Sequence, residues 1–285
     1  MKVVSHPAAA GFWEAAGRLL LADPVAHTLV LSLTRRALLG LLSSSGPPVL
    51  LTVHDGPNVI GAALRSSPNP IVLSAVPPYA IPAVIDHLRA EDIELTGATG
   101  SRPAVEAFAA AWTAQTGAVQ VGHRDERLYS LGELTPPSNV PGEPTKAGED
   151  DVDLLAGWRA GFAAEALGGP FTAAESTRQV RASLTMGNGL VLWRVDGVPV
   201  AYAAVGRPVD GAMSRIGPVY TPAEFRGRGY GSAVTAAAAR WALDRGAEHV
   251  VLFTDLANPV SNSIYQRLGF RAVSDAMEVS FGRPG

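Results

Sequence analysis

The sequence predicts an α+β protein in two halves, each built around one central sheet. Three observations predict it. Helices and strands follow one another in mixed order through the second half, the pattern of an α+β domain. Thr135–Pro144 is rich in proline and polar residues, has no apolar periodicity, and reads as a linker. The halves also repeat. Val49–Leu64 aligns with Leu190–Val205, so that Asp55-Gly56 falls on Asp196-Gly197, 141 residues on. At the same offset Pro77-Pro78-Tyr79 falls on Pro218-Val219-Tyr220 without a gap. Asp-Gly between apolar runs is a hairpin signal in its own right, but the ungapped extension makes duplication the better reading. The expected division is 1–134, a linker at 135–144, and 145–285.

In the second half the acidic run Glu149-Asp150-Asp151 suits a helix start. The helix it opens, Val152–Ala166, places Leu154, Leu155, Trp158 and Phe162 at helical spacing. A second helix is expected near 173–184, then strands at Leu190–Val195, Pro199–Gly206 and Ser214–Tyr220. A glycine-rich turn and the alanine-rich helix beginning at Ser232 follow. His249–Asp255 is a nearly continuous apolar run, as expected of a strand buried on both faces. Asn258 can cap a helix whose first turn begins at Pro259, where the missing N–H costs nothing, and Gly269 is placed to end it. A closing strand is expected near 275–281. In the first half, Gly117 ends the helix Ala104–Thr116.

Composition bounds the function. With 285 residues, 47% hydrophobic and 17% charged, the chain can bury two sizeable cores. A net charge of -3 argues against a nucleic-acid binder. The absence of cysteine excludes disulfides, thiolate metal sites and a cysteine nucleophile. His6, His27, His54, His87, His123 and His249 show no paired ligand spacing, so no metal is expected. The N-terminus lacks a signal-peptide pattern, and no apolar run approaches the roughly 20 residues that span a bilayer. The expectation is a cytoplasmic protein without membrane partners.

The most informative segment is Arg226-Gly227-Arg228-Gly229-Tyr230-Gly231-Ser232, between an apolar run ending at Val219-Tyr220 and a helix. Glycines let backbone approach a ligand closely. The free N–H groups and dipole of the helix start favour an anion there, and Arg226 and Arg228 add two cations. Such a turn is a pyrophosphate cradle. It is not a nucleotide-triphosphate loop, for which the lysine is missing, and it fails the dinucleotide fingerprint by one position, since Ser232 stands where the sixth-position glycine is needed.

Arg226-x-x-Gly229-x-Gly231 at a strand-to-helix turn, with Asn258 and Tyr265 seven residues apart before Leu268-Gly269-Phe270, resembles the GNAT superfamily of acetyl-CoA-dependent N-acetyltransferases. The resemblance covers roughly residue 145 to the C-terminus. It implies two GNAT-like domains, each a central mixed, mostly antiparallel β-sheet flanked by helices, the first a degenerate copy. It implies that acetyl-CoA is the acyl donor, with no metal. The backbone of Arg226, Gly227, Arg228, Gly229, Tyr230, Gly231 and Ser232 would hold the CoA pyrophosphate. Backbone groups at Val219 and Tyr220 would pair with pantetheine and polarise the thioester carbonyl; Asn258 and Asn262 would contact pantetheine; Tyr265 would protonate the departing thiolate. Pro222 sits one residue earlier than in the commonest pattern, which leaves the choice between Val219 and Tyr220 open.

In the first half the same offset places Ile85, Asp86, His87 and Leu88 on Arg226–Gly229, so the cradle is gone and that copy is expected not to bind CoA. It would brace the second half, wall the acceptor site or mediate formation of a homodimer. For the general base, Glu165 near the end of the first helix of the second half is the candidate. It precedes Gly168-Gly169-Pro170, where GNAT-like folds form the acceptor wall, although an exposed helix carboxylate is its commoner fate. The expected reaction is direct attack of a small-molecule or peptide amine on acetyl-CoA in a ternary complex. An amino-sugar thiol precursor, the acceptor of tandem enzymes such as mycothiol synthases, is a sub-case. The alternative is a non-catalytic acyl-CoA-binding sensor or scaffold.

Overall fold

In the computed structural model the described residues are 1–42, 45–166, 172–209 and 212–283. They form twelve strands and eight α-helices. In chain order these are β1 (Lys2–Ser5), α1 (Ala9–Ala22), α2 (Thr28–Leu38), β2 (Val49–Asp55), β3 (Asn58–Arg65), β4 (Ile71–Ser74), α3 (Ile81–Ala90), β5 (Gly97–Ser101), α4 (Arg102–Thr116) and β6 (Val119–Leu131). They continue as β7 (Glu143–Lys146), α5 (Val152–Ala166), α6 (Ala173–Thr185), β8 (Gly189–Val195), β9 (Val198–Val205), β10 (Met213–Tyr220), α7 (Tyr230–Leu243), β11 (His249–Asp255), α8 (Pro259–Arg267) and β12 (Phe270–Gly282).

The chain divides into two units, neither contiguous in sequence. Unit 1 is Met1–Leu128 with Thr254–Ala257 and Val273–Gly285; unit 2 is Tyr129–Phe253 with Asn258–Ala272. The closing segment from Val273, expected with the second half, therefore belongs to unit 1. The cause is strand pairing: Ala276–Ser280 of β12 runs antiparallel to Gly97–Ser101 of β5. A Cβ on Gly97 would stand 2.2 Å from the Val279 carbonyl oxygen, so the approach needs glycine.

Each unit repeats one topology. Unit 1 has the order β1-β2-β3-β4-β5-β12 and unit 2 the order β7-β8-β9-β10-β11. The hydrogen-bonded pairs are antiparallel except β4–β5 in unit 1 and β10–β11 in unit 2, which are parallel. The register between the halves slips by a residue. β2 and β3 turn through Gly56-Pro57, whereas β8 and β9 turn through Asp196-Gly197, both at positive φ (48° and 79°), the hairpin turn that matches strand twist. Pro77 lies beyond the end of β4, whereas Pro218 lies within β10, so the ungapped sequence match does not survive as a structural one.

The segment expected as a linker is bound to unit 2. The Thr135 N–H donates to the Leu268 carbonyl, Trp193 Nε1 donates to the Pro141 carbonyl at 2.8 Å, and Glu143-Pro144 opens β7.

Two layers of helix cover the unit 2 sheet. On one face α7 buries Ala236, Ala238, Ala239 and Ala242, small residues that favour the helix and let it lie close to the strands. They pack with Ala203, Ile216, Val250 and Leu252. On the other face α5 and α6 bring Val152, Leu155 and Val180 against Leu190, Leu192 and Tyr202. Unit 1 has an equivalent core in which α3 and α4 supply Ile81, Val84, Ile85, Leu88, Phe108 and Trp112. Among the described residues no helix is long and apolar enough to cross a membrane.

Candidate active site

The parallel ladder between β10 and β11 begins at Met213 and His249 and stops at Ile216 and Leu252, while β10 runs on to Tyr220. On its other side β10 stays paired with β9, but the register shifts between Ile216 and Val219. One extra residue on β10 makes this a β-bulge, which bends the strand and breaks its pairing locally. Val219 and Tyr220 thus lie on a strand bonded to β9 with no β11 ladder opposite. An extended ligand can add itself to such an edge.

β10 leads through a short 3-10 turn, Ala223–Phe225, into the glycine segment. Gly227 and Gly229 both take left-handed φ, 77° and 83°, and Gly229 caps α7. The first α7 bond runs from the Ala233 N–H to the Gly229 carbonyl. The N–H groups of Tyr230, Gly231 and Ser232 therefore have no partner within the helix and point out of its start. A Cβ on Gly227 would meet nothing within 4 Å. Open space in front of a row of free N–H groups at a positive helix end fits a pyrophosphate.

Arg226 does not aim its side chain away from the fold. Its Nη2 donates to Glu165 Oε2 at 2.6 Å, and its Nε donates to the Thr221 carbonyl at 2.9 Å. The Tyr220 hydroxyl donates to Glu165 Oε1 at 3.0 Å, and the Arg226 guanidinium lies 5.8 Å from the Tyr220 ring centre. Both oxygens of the Glu165 carboxylate are thus held. Desolvation, then the hydrogen bond to Glu165, push the Tyr220 phenol above its ordinary pKa, so it keeps its proton. The α5 backbone leaves room for it: a Cβ on Gly161 would come within 2.8 Å of the Tyr220 hydroxyl. Gly168-Gly169-Pro170 lies outside the described residues. Arg228 is exposed.

α8 begins as its sequence dictates. Asn258 Oδ1 accepts from the Ser261 N–H at 3.0 Å, Pro259 follows, and Gly269 leaves the helix at φ 97°. Asn262 is tied into the fold: its Nδ2 donates to the Asn258 carbonyl at 2.7 Å and its Oδ1 accepts from the Tyr129 hydroxyl at 3.1 Å. Tyr129 in turn accepts from Gln266 Nε2 at 3.2 Å. Tyr129 is buried on β6, more than 120 residues before its partners, and no local signal in sequence marks it. Tyr265 packs edge-on against Phe270, ring centres 6.1 Å apart, and is hydrogen-bonded to Ser261. Burial pushes its phenol up to about 12.

The comparisons with known proteins agree with this geometry. Residues 162–270 match the family model described as the acetyltransferase (GNAT) family. That stretch, most of unit 2, is therefore similar to a GNAT acetyltransferase domain. A mycothiol acetyltransferase from Arthrobacter sp. (strain FB24) is 43% identical over 67 residues, 22% of this chain and 20% of that protein, so the chain matches about one fifth of that relative's length. Among solved structures, an acetyltransferase from the GNAT family of Colwellia psychrerythraea superposes with a TM-score of 0.59 at 12% identity, covering 99% of this chain and 100% of that one. A tandem GNAT protein from the clavulanic acid biosynthesis pathway superposes with a TM-score of 0.57 at 16% identity, covering 100% and 98%. At such identities these two likenesses show the fold alone.

Unit 1 repeats the topology but not the glycine turn. Its parallel ladder holds as far as Leu73–Gly100, close to the end of β4 at Ser74, and a Cβ on Gly100 would stand 2.5 Å from the Leu73 carbonyl oxygen. The connection into α3 is Pro77 followed by the 3-10 turn Pro78–Ala80, with no glycine at positive φ and with Pro82 in the first turn of the helix. Pro82 has no N–H to offer an anion. Asp86 and His87, which the repeat offset set on the cradle, lie inside α3.

The Tyr265 phenol gives a pH prediction. Its folded pKa is raised above the ordinary value near 10. The stabilisation linked to its proton is therefore whole below pH 10 and lost as pH rises through about 12. Two pKa units correspond to about 2–3 kcal/mol. Alkaline denaturation of Tyr265→Phe should lack that component; identical alkaline unfolding curves for the two proteins would place the phenol in solvent.

Proposed function

We propose that unit 2 transfers an acetyl group from acetyl-CoA to a primary amine of a small molecule or peptide, by direct attack in a ternary complex. The observation that carries this reading is the row of free N–H groups from Tyr230 to Ser232 behind two left-handed glycines. It is a cradle with no structural task of its own. Acetyl-CoA supplies an activated acyl group whose thiolate leaves readily. The chain supplies the rest. The edge of β10 at Val219-Tyr220 holds an extended arm, and one of its N–H groups donates to the carbonyl oxygen, a contribution typically worth about 3 kcal/mol. Positioning two reactants together removes several more.

Tyr265 is placed to steady a leaving sulfur by donating a hydrogen bond. Full proton transfer from a phenol at about 12 to a thiolate near 8.5 runs uphill by roughly 5 kcal/mol, so the proton stays mainly on oxygen. Asn258 and Asn262 set the angle of α8 beneath it through the cap and the Tyr129 network.

An acceptor amine with a pKa near 10.4 loses its proton at pH 7 at a cost of roughly 4–5 kcal/mol. Glu165 is the carboxylate that unit 2 holds beside Tyr220 at the end of β10. Glu165→Gln should lower kcat about 100-fold while changing stability by less than about 1 kcal/mol, since the ion pair with Arg226 is half exposed. An unchanged kcat would reduce Glu165 to an anchor for Arg226.

The direct test is release of free CoA thiol from acetyl-CoA across a panel of amines, with products weighed by mass spectrometry. The protein has no cysteine to confuse the thiol signal. Acceptor-dependent release supports the transferase; tight acetyl-CoA binding with no release on any amine leaves the sensor or scaffold in its place.

A further inference from the structure

Arg159 occupies a position in α5 that the helix period assigns to the core. Val152, Leu155, Ala156 and Ala163 form the buried stripe of α5, and Arg159 falls between Ala156 and Ala163 on the same stripe. It is only partly exposed. Its guanidinium lies beside the hydroxyl of Tyr202, a fully buried residue of β9 whose ring centre lies 6.4 Å from that of Trp158. Among the described residues no carboxylate lies within ion-pair distance of Arg159, and its buried Nε has no hydrogen-bond partner. A cation held partly out of water without a counter-charge is costly, and a leucine or methionine there would pack the same stripe without that cost. The position makes sense if an anion joins it.

The neighbouring geometry says where that anion comes from. Tyr202 stands directly across from Tyr220 in the β9–β10 register, a separation of about 5 Å. Tyr220 is the residue that holds Glu165. One helix therefore presents Arg159 to one of two adjacent tyrosines and Glu165 to the other, a positive and a negative group on the same face of the sheet. Arg215 of β10 lies on that face too, since its neighbour Ile216 points into the α7 core.

We propose that Arg159 binds an anionic oxygen group, carboxylate or sulfonate, carried by the acceptor, so that the preferred substrate is an amine that also bears a negative charge. This rests on the acetyltransferase reading of the same unit. The guanidinium matches a planar carboxylate with paired N–H donors, and Glu165 sits on the side from which the ammonium would approach.

The test compares N-acetylglycine and N-acetyltaurine with the neutral N-acetylglycinamide, each titrated calorimetrically onto the protein with and without saturating CoA. The acids should bind about 10- to 100-fold more tightly than the amide, as a charge-assisted hydrogen bond implies. Arg159→Met should erase that preference and leave CoA affinity unchanged, while Arg159→Lys should keep part of it. Carboxylate favoured over sulfonate, or the reverse, identifies the anion class. Equal binding of acids and amide, or no binding of any of them, overturns the proposal, and the native protein alone decides this if Arg159→Met does not fold. Failure to bind CoA sinks the acetyltransferase reading instead, and CoA binding with no preference sinks only the anion subsite.

Discussion

Gly231→Glu should reduce acetyl-CoA affinity by about 100-fold or more, roughly 3 kcal/mol, and leave the fold intact. Three features make this position, rather than the two left-handed glycines, the place to test the cradle. Gly231 is inside the first turn of α7 and is not among the glycines at positive φ. Its Cβ would meet only Thr221 Oγ1, at 3.4 Å, an ordinary contact. A carboxylate in the first turn complements the helix dipole, worth about 0.3–1 kcal/mol in favour of folding. That same charge repels a pyrophosphate from the N–H groups that would receive it. Gly229 is a poorer choice, because φ there is 83° and an added Cβ would lie 3.0 Å from Val140 Cγ2; a loss of binding in that variant could come from strain. Calorimetry with acetyl-CoA, alongside a thermal melt, checks both halves of the expectation. A melt unchanged and an affinity unchanged would remove the cradle from the account.

Gly269→Ala should have the largest effect on stability, about 3 kcal/mol or more, from left-handed strain and a backbone clash together. Gly269 has φ 97°, and a Cβ there would stand 1.9 Å from the Glu133 carbonyl oxygen. The clash cannot relax by a side-chain rotation, because the obstacle is backbone. The Gly269 carbonyl also accepts from the Gly132 N–H, and the neighbouring Leu268 carbonyl from the Thr135 N–H. Relief would therefore pull 132–135 away from the end of α8 and take Tyr265 with it. Expected in a melt of the whole chain is a fall of about 6–12 °C in the transition that reports unit 2, with kcat reduced in the residual folded protein. A melt within a degree of the native one would mean that the 132–135 segment is not seated against α8.

These glycines also show what was legible in the sequence. The cradle could be read because its physics is local: an apolar strand, glycines that permit left-handed backbone, and a helix start, all within about a dozen residues. The α8 boundaries could be read for the same reason, since Asn258, Pro259 and Gly269 each impose a conformation on their own neighbourhood. What could not be read is what depends on distant pairing. Tyr129 braces Asn262 and Gln266 from a strand that sequence assigns to the other half. The last strand leaves its half and pairs with β5, where Gly97 permits the approach, and nothing near 273–282 announces a partner so far back in the chain. The Glu165 carboxylate could be nominated from its place at the end of a helix, but not its engagement with Arg226 and Tyr220. The repeat was visible through its hairpins, yet its offset slipped by a residue, because Gly56-Pro57 and Asp196-Gly197 turn the chain by different routes.

On the proposed function, one unit of this tandem fold holds acetyl-CoA and the other does not. Calorimetric titration of the whole chain with acetyl-CoA measures that as a stoichiometry. One molecule should bind per chain, through the free N–H groups at the start of α7, and none should bind Gly231→Glu. Two molecules per chain, or one that survives Gly231→Glu, would contradict it.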